Sequence, residues 1–142
     1  MGGPKKPKAL AVLEHGLSVT AARFSPTGQR LLTTCNDDFL RVFEAANGAK
    51  WTQLSSTRHN NHTGRYITPF QAEWLRGSDD TFVCGSLSQP RGIDVLHCSP
   101  GAQGSPRLLH DNVNSVLSLL VWHPTLNVLA ASNASGKVFL WR

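Results

Sequence analysis

Short apolar clusters separated by turn residues run the length of this chain, and they recur in order. The first series is Val19-Thr-Ala-Ala-Arg-Phe24, Leu31-Leu-Thr-Thr-Cys35 and Phe39-Leu-Arg-Val-Phe43. The second is Phe70-Gln-Ala-Glu-Trp74, Thr81-Phe-Val-Cys84 and Gly92-Ile-Asp-Val-Leu96. The third is Leu117-Ser-Leu-Leu-Val-Trp122, Val128-Leu-Ala-Ala-Ser132 and Lys137-Val-Phe-Leu-Trp141. The aromatic anchors Phe24, Trp74 and Trp122 stand 50 and 48 residues apart. A second anchor follows each of them, at 19 (Phe43), 22 (Leu96) and 19 (Trp141). Two spacings kept together mark an internal repeat.

No segment carries an apolar stripe at helical period over a helix length, so the clusters predict strands and an all-β fold. Pro26-Thr-Gly28, Asn36-Asp-Asp38, Asn47-Gly48 and Asn133-Ala-Ser-Gly136 supply the turn chemistry between them. Strand centres such as Leu119-Leu-Val-Trp122 are apolar at neighbouring positions, the pattern of a sheet covered on both faces. Small repeated sheets with both faces covered are the blades of a β-propeller. An outer strand over Lys8–Leu13, two four-stranded units and a final three-stranded unit make twelve strands, about three blades' worth. Propellers close with about four to eight blades, so the expectation is a partial ring. A basic flexible leader spans 1–8, the propeller segment 9–142, and its units about 14–55, 67–110 and 111–142, with a long polar loop over 55–66.

At these residues the chain resembles the WD-repeat family. Glu14-His15 stands where that family's Gly-His pair opens a repeat, and Phe24-Ser-Pro26 and Trp122-His-Pro124 match its first strand. Trp141-Arg142 matches its closing Trp-Asp dipeptide, which Phe43-Glu44 and Leu96-His97 replace in the earlier units. The resemblance implies a fragment of a seven-bladed ring, and the departures leave open which groups brace each blade.

The 142 residues suffice for one domain, and 40% of them are hydrophobic, enough for a packed core. No apolar run approaches the roughly 18 residues of a bilayer span, so no membrane partner is expected. Lys and Arg number 14 against 9 acids, but Lys5, Lys6 and Lys8 sit in the leader, leaving eleven against nine in the body. The run Pro4-Lys-Lys-Pro-Lys8 reads as a nuclear-import tag or as an inert soluble terminus. Cys35, Cys84 and Cys98 are odd in number and unpaired in spacing, the usage of small apolar fillers in a reducing compartment. Neither a glycine-rich phosphate loop nor a nucleophile motif is present. The His59–His62 pair lacks the close-set cysteines of a zinc site. Accordingly no enzyme activity, metal or cofactor is expected.

The polar stretch before Pro69 is where recognition chemistry gathers. It carries Arg58, His59, His62, Arg65 and Tyr66 with no acidic residue. Guanidinium groups pair with phosphate oxygens, and a tyrosine ring can stack on an unstacked base. A solvated surface loop is the competing reading. Asn60–Trp74 and Gly85–Val95 are similar to DNA-damage-binding members of the WD-repeat family. The resemblance maps the wedge of the lesion-binding members onto Gly64-Arg65-Tyr66, with Gly64 in place of an aromatic. Pro90-Arg91 falls in the next blade's turn, on what is expected to be the same rim, where Arg91 can add a phosphate contact or be an ordinary turn residue. Such members resemble substrate receptors of a cullin-4 ubiquitin ligase that dock through Trp-Asp-x-Arg; this tetrapeptide is absent, so ligase docking by this chain alone is not expected. The reading is a DNA-binding propeller fragment of a nuclear DNA-damage response or its checkpoint regulation. Its DNA contacts fall to Arg58, His62, Arg65, Tyr66 and Arg91, and chromatin proteins are further partners. The alternative is a non-catalytic interaction scaffold, such as a chromatin adaptor or a ligase substrate receptor, without DNA contact.

Overall fold

Turns fix where the chain reverses. Asn47 and Gly48 both adopt positive φ (54° and 72°) between the third and fourth strands, as a tight hairpin demands. Asp38 (φ 66°) does the same between the second and third. The computed structural model describes residues 2–99 and 106–142; the part of the second unit over 100–105 lies outside them. Its strands are β1 (Val19–Phe24), β2 (Arg30–Cys35), β3 (Phe39–Ala46), β4 (Lys50–Arg58), β5 (Glu73–Trp74), β6 (Thr81–Gly85), β7 (Gly92–His97), β8 (Arg107–Leu109), β9 (Leu117–Trp122), β10 (Leu129–Asn133) and β11 (Val138–Trp141). They form three antiparallel meanders, β1-β2-β3-β4, β5-β6-β7-β8 and β9-β10-β11, with no helix among the described residues.

The repeat is a register. Phe24 pairs with Leu31 and Leu31 with Phe43. Trp74 pairs with Phe82 and Phe82 with Leu96. Trp122 pairs with Leu129 and Leu129 with Trp141. Each pair of anchors thus ends one row of side chains laid across three strands. The wider spacing of the second unit comes from longer turns on either side of Phe82.

The rows explain the core. Trp74, Phe82 and Leu96 pack against Leu32, Leu40 and Val42 of the first blade. Trp122, Leu129 and Trp141 pack against Val83, Ile93 and Val95 of the second. Each blade therefore presents its anchor row to the blade before it and an aliphatic face to the blade after it. Polar contacts close the first seam: the Trp74 indole donates to Arg23 O (2.9 Å), Thr20 Oγ1 to Phe70 O (2.8 Å) and Ala72 N to Thr34 Oγ1 (2.9 Å). In the second seam the Trp122 indole nitrogen is buried without a hydrogen-bond partner among the described residues.

His15 does brace the first blade, with Nε2 2.9 Å from Thr33 Oγ1, Nδ1 2.9 Å from Leu13 O and its ring edge-on to Phe43. Among the described residues no carboxylate joins it. All three cysteines are free and buried, and burial pushes the Cys98 thiol up to about 11.

Two expectations need correction. Lys8–Leu13 forms no strand, so eleven strands are described and not twelve. The segment pairs with no strand edge; Leu10 and Leu13 instead line one hollow with Phe24, Leu31 and Trp51, a contact made by side chains and not by a backbone ladder. The polar stretch assigned to a loop from 55 begins inside β4, which pairs with β3 as far as Arg58. As the exposed outer strand, β4 carries polar residues without cost.

Gly85 stands where β6 meets the start of β9. A Cβ there would lie 1.8 Å from Leu117 O and 2.8 Å from the Phe70 ring. Gly85→Ala is expected to force the second and third blades apart and to cost about 1–3 kcal/mol, the usual range for overpacking. A lowered urea midpoint at unchanged slope is the check.

Candidate nucleic-acid interface

Every blade has two ends, and each strand carries the chain from one end to the other. At one end lie the β2–β3 turn, the exit of β4 and the β6–β7 turn. Arg58 is opposite Phe39, the first residue after the β2–β3 turn, so β4 leaves its sheet at that end. Asp94, the third residue of β7 after the β6–β7 turn, meets His59 just past β4. Arg91 closes that second turn, and so the structure places Arg58, His62, Arg65, Tyr66 and Arg91 on one rim.

The loop that leaves β4 is fixed at its root. Asp38 accepts His59 N at its carbonyl and Asn61 N at its carboxylate, both at 2.9 Å. The Asn61 amide donates to Cys35 O (2.8 Å), which turns its Oδ1 toward His59 Nδ1, 2.7 Å away. The His59 ring is buried edge-on to Phe70, and its Nε2 lies 3.2 Å from Asp94 Oδ2. Arg107 Nε donates to the other Asp94 oxygen at 2.7 Å. One carboxylate on the second blade thereby holds a loop that springs from the first. Burial opposes ionisation of Asp94, but hydrogen bonds from His59 and Ser86 and the nearby positive charge outweigh it and hold the carboxyl below its ordinary value.

The far end of the loop is tied down as well. Ile67 packs against the first core and Phe70 is fully buried within it. Between root and return, the chain turns at Gly64 (φ 82°) and displays Arg65 and Tyr66, the latter 90% exposed. Beneath this tip a cleft of about 580 Å³ runs between the loop and the first blade, lined by Ser18, Asn36, Asn61, His62 and Arg65 among others.

The predicted residues differ in how free they are. Arg58, His62, Arg65 and Tyr66 are exposed. Among the described residues neither Arg58 nor Arg65 makes an ion pair. Arg91 is half-buried and its guanidinium donates to Leu87 O within its own turn. Three of the rim's carboxylates are engaged: Asp37 takes both Arg41 Nη groups (3.0 and 2.6 Å), Asp38 the loop backbone, and Asp94 His59 and Arg107, while Asp111, in the β8–β9 connection at the same end, is exposed and makes no ion pair among the described residues. At the opposite end Arg23 pairs with Glu73 (3.5 Å) and Arg30 with Glu44 (3.2 Å) and Asp80 (3.7 Å), while Lys50 and Arg76 are exposed there and make no ion pair among the described residues. Thr27 there clasps Asp79 across the seam.

Sequence reasoning missed His59, Asn61, Asp38 and Asp94 as the residues that set the loop. The signal was Asp94 itself, a carboxylate between Ile93 and Val95 in mid-strand, where an acid needs a partner. His59 and His62 are not brought together; the first is buried and the second exposed.

Comparison with known proteins agrees with this architecture. A family model described as "WD domain, G-beta repeat" matches residues 7–44. The chain is 40% identical over 134 residues to WD repeat-containing protein 76 of Mus musculus, covering 93% of this chain and 21% of that protein. It is 38% identical to the Xenopus laevis protein of the same name, covering 96% and 24%. It is 31% identical over 154 residues to DNA damage-binding protein CMR1 of Chaetomium globosum, covering 99% and 28%. The chain thus spans about a fifth to a quarter of these relatives' length. Among solved structures, the C-terminal WD40 domain of Sif2 superposes with a TM-score of 0.66 at 15% identity, covering 92% of this chain and 33% of that one. The β-propeller domain of Myceliophteria thermophila Cps50 (Swd1) gives 0.64 at 15% identity, covering 87% and 39%.

The Asp94 brace sets an acid limb of stability. Its contribution is complete above the ordinary carboxylate pKa and is lost as pH falls through the lowered folded value. Asp94→Asn is expected to cost about 1–3 kcal/mol at neutral pH, the range for hydrogen bonds to charged groups. The variant's denaturation midpoint should also fall less steeply than wild type between about pH 5 and 2.

Proposed function

We propose that this chain, a partial WD-repeat β-propeller, binds DNA through the rim that carries the braced loop and serves a nuclear DNA-damage response. The observation that carries the reading is the displayed Arg65–Tyr66 tip. A guanidinium and an aromatic ring stand free beside each other, on a loop held at both ends, where Asp37, Asp38 and Asp94 are already engaged. Arg65 and Arg58 supply phosphate contacts, and the Tyr66 ring is placed to stack on an unpaired base. His62 and the amides of the cleft add hydrogen-bonding groups below the tip. Arg91 contributes only by giving up its bond to Leu87 O, so its share is the smallest.

The names of the relatives support this direction, since one group of them is called DNA damage-binding. The exposed leader Pro4-Lys-Lys-Pro-Lys8 suits nuclear import.

Binding to an oligonucleotide duplex with a few unpaired bases is expected to weaken linearly in log K against log salt. Arg65→Ala should lower the magnitude of that slope by about 0.9 for each phosphate that its guanidinium neutralises. Tyr66→Ala should weaken binding by about 1–3 kcal/mol with little change of slope. Anisotropy titrations at several salt concentrations read both. If the two substitutions together leave affinity unchanged, the tip is not the DNA site. Salt-insensitive capture of a chromatin protein by the same rim would favour the scaffold reading instead.

A further inference from the structure

The turn between β6 and β7 carries a hydroxyl for which the DNA reading has no use. It runs Ser86-Leu-Ser-Gln-Pro-Arg91 and contains no acidic residue. Ser86 is buried, whereas Ser88, Gln89 and Pro90 are exposed. Ser86 holds the turn from below, since its Oγ accepts Ser88 N (3.1 Å) and it also hydrogen-bonds Asp94. Ser88 thus has a backbone fixed against the blade and a hydroxyl with no hydrogen-bond partner among the described residues.

Two guanidiniums border this turn. Arg91 Nη1 donates to Leu87 O, and Arg107 Nη2 to Ser88 O at 3.4 Å. Arg91 makes no ion pair among the described residues, and Arg107 commits its Nε to Asp94 (2.7 Å). Asp111, beyond β8 at the same end, pairs with neither of them among the described residues. A guanidinium offers five N–H donors in a planar fork that matches a phosphate, so both side chains have donors to spare. Other exposed hydroxyls lie against acids: Thr27 Oγ1 donates to Asp79, and Ser99 Oγ to Asp80 at 3.2 Å. A phosphate at either of those would be repelled, while one on Ser88 enters a place that two cations already border.

We infer that Ser88 is a phosphorylation site, its phosphate received by Arg91 and Arg107. Gln89 follows it, so the enzyme class that fits is a Ser/Thr kinase that selects serine before glutamine. Thr52-Gln53 has the related order, but Thr52 lies within β4, where the ladder with β3 holds its backbone. In the transfer, Ser88 Oγ attacks the γ-phosphorus of ATP. The Oγ–P bond forms as the bond to the β–γ bridging oxygen breaks; ADP leaves with that electron pair, and the hydroxyl proton passes to the base of the kinase. The product carries about −1.5 to −2 charge at neutral pH. Arg107 can grip it through Nη2 while its Nε stays on Asp94, which ties the turn to the carboxylate that also holds His59. The phosphate also occupies Arg91 and sets negative charge on the rim. The consequence for DNA rests on the reading of this rim as the DNA site: the phosphorylated chain loses affinity for an oligonucleotide duplex and shows a smaller salt slope.

Two measurements on the 142-residue chain test the site without DNA. In the first, the folded chain is incubated with Mg-ATP and a purified kinase that selects serine before glutamine, and the product is mapped by mass spectrometry. Phosphate on Ser88, absent from Ser88→Ala, is expected; a folded chain labelled only at other residues, or not at all, overturns the assignment. In the second, phosphoserine is installed at position 88 by codon reassignment and its ³¹P resonance is titrated with pH. The two guanidiniums should hold the second ionisation of the phosphate about 1 pH unit below its value in the same chain unfolded in urea. Arg91→Ala combined with Arg107→Ala should erase that difference. Should the double variant lose its cooperative thermal transition, Arg91→Ala alone must reduce it. Equal ionisation in the folded and unfolded chains overturns the inference. A chain that passes both tests yet binds no DNA sinks the DNA reading and leaves this site standing; one that binds DNA and fails either test does the reverse.

Discussion

A small antiparallel sheet with apolar residues on both faces cannot stand alone in water, and this constraint organises the molecule. Each blade must find cover on two sides, and the chain supplies it by making the sides different. One side is a row of large anchors set by strand register; the other is a patch of Leu, Val and Ile. The difference gives the stack a direction, so blades follow one another in a fixed sense. Burial of the sheet faces, not the hydrogen bonds within each sheet, is what joins one blade to the next. The polar links across the first seam, from Thr20, Thr34 and the Trp74 indole, set the alignment of surfaces that hydrophobic burial has already joined.

Charge follows from the same geometry. Residues near strand ends fall on one rim or the other according to strand direction. On the rim of Thr27 and Asp79, Arg23 and Arg30 reach the acids Glu73 and Asp80 across the seam. On the opposite rim Asp37, Asp38 and Asp94 hold turns and the loop root, and the loop displays Arg65 without an ion pair among the described residues. A chain whose body is only mildly basic can in this way display an unpaired guanidinium on a raised loop. Net charge alone would not have located it.

The blades are legible from sequence because strand register converts directly into residue spacing. Once Phe24, Trp74 and Trp122 align, the partner rows follow, and the structure lays each anchor in the expected strand. The seam partners are less legible, since adjacent apolar residues in a strand do not say which neighbour each will face. The fourth strand reads too short because an exposed outer strand such as Lys50–Arg58 carries the polar composition of a loop. Lys8–Leu13 reads as a strand because its composition suits one, yet composition supplies no edge to pair with. For the candidate site, the exposed cations can be read directly. The brace of His59, Asn61, Asp38 and Asp94 cannot, because it joins residues 56 positions apart in sequence at its extremes. Arg91 shows the same limit: sequence puts it in a turn, but not in the grip of Leu87 O.

The double hold on His59 carries a mechanical meaning. Its backbone is gripped by one sheet and its ring by the next, so this residue works as a rivet through two plates. Sliding one plate against the other must tilt the rivet, and the tip bearing Arg65 and Tyr66 swings with it. Whatever grasps that tip therefore gains purchase on the alignment of the sheets, and whatever shifts the sheets re-aims the tip.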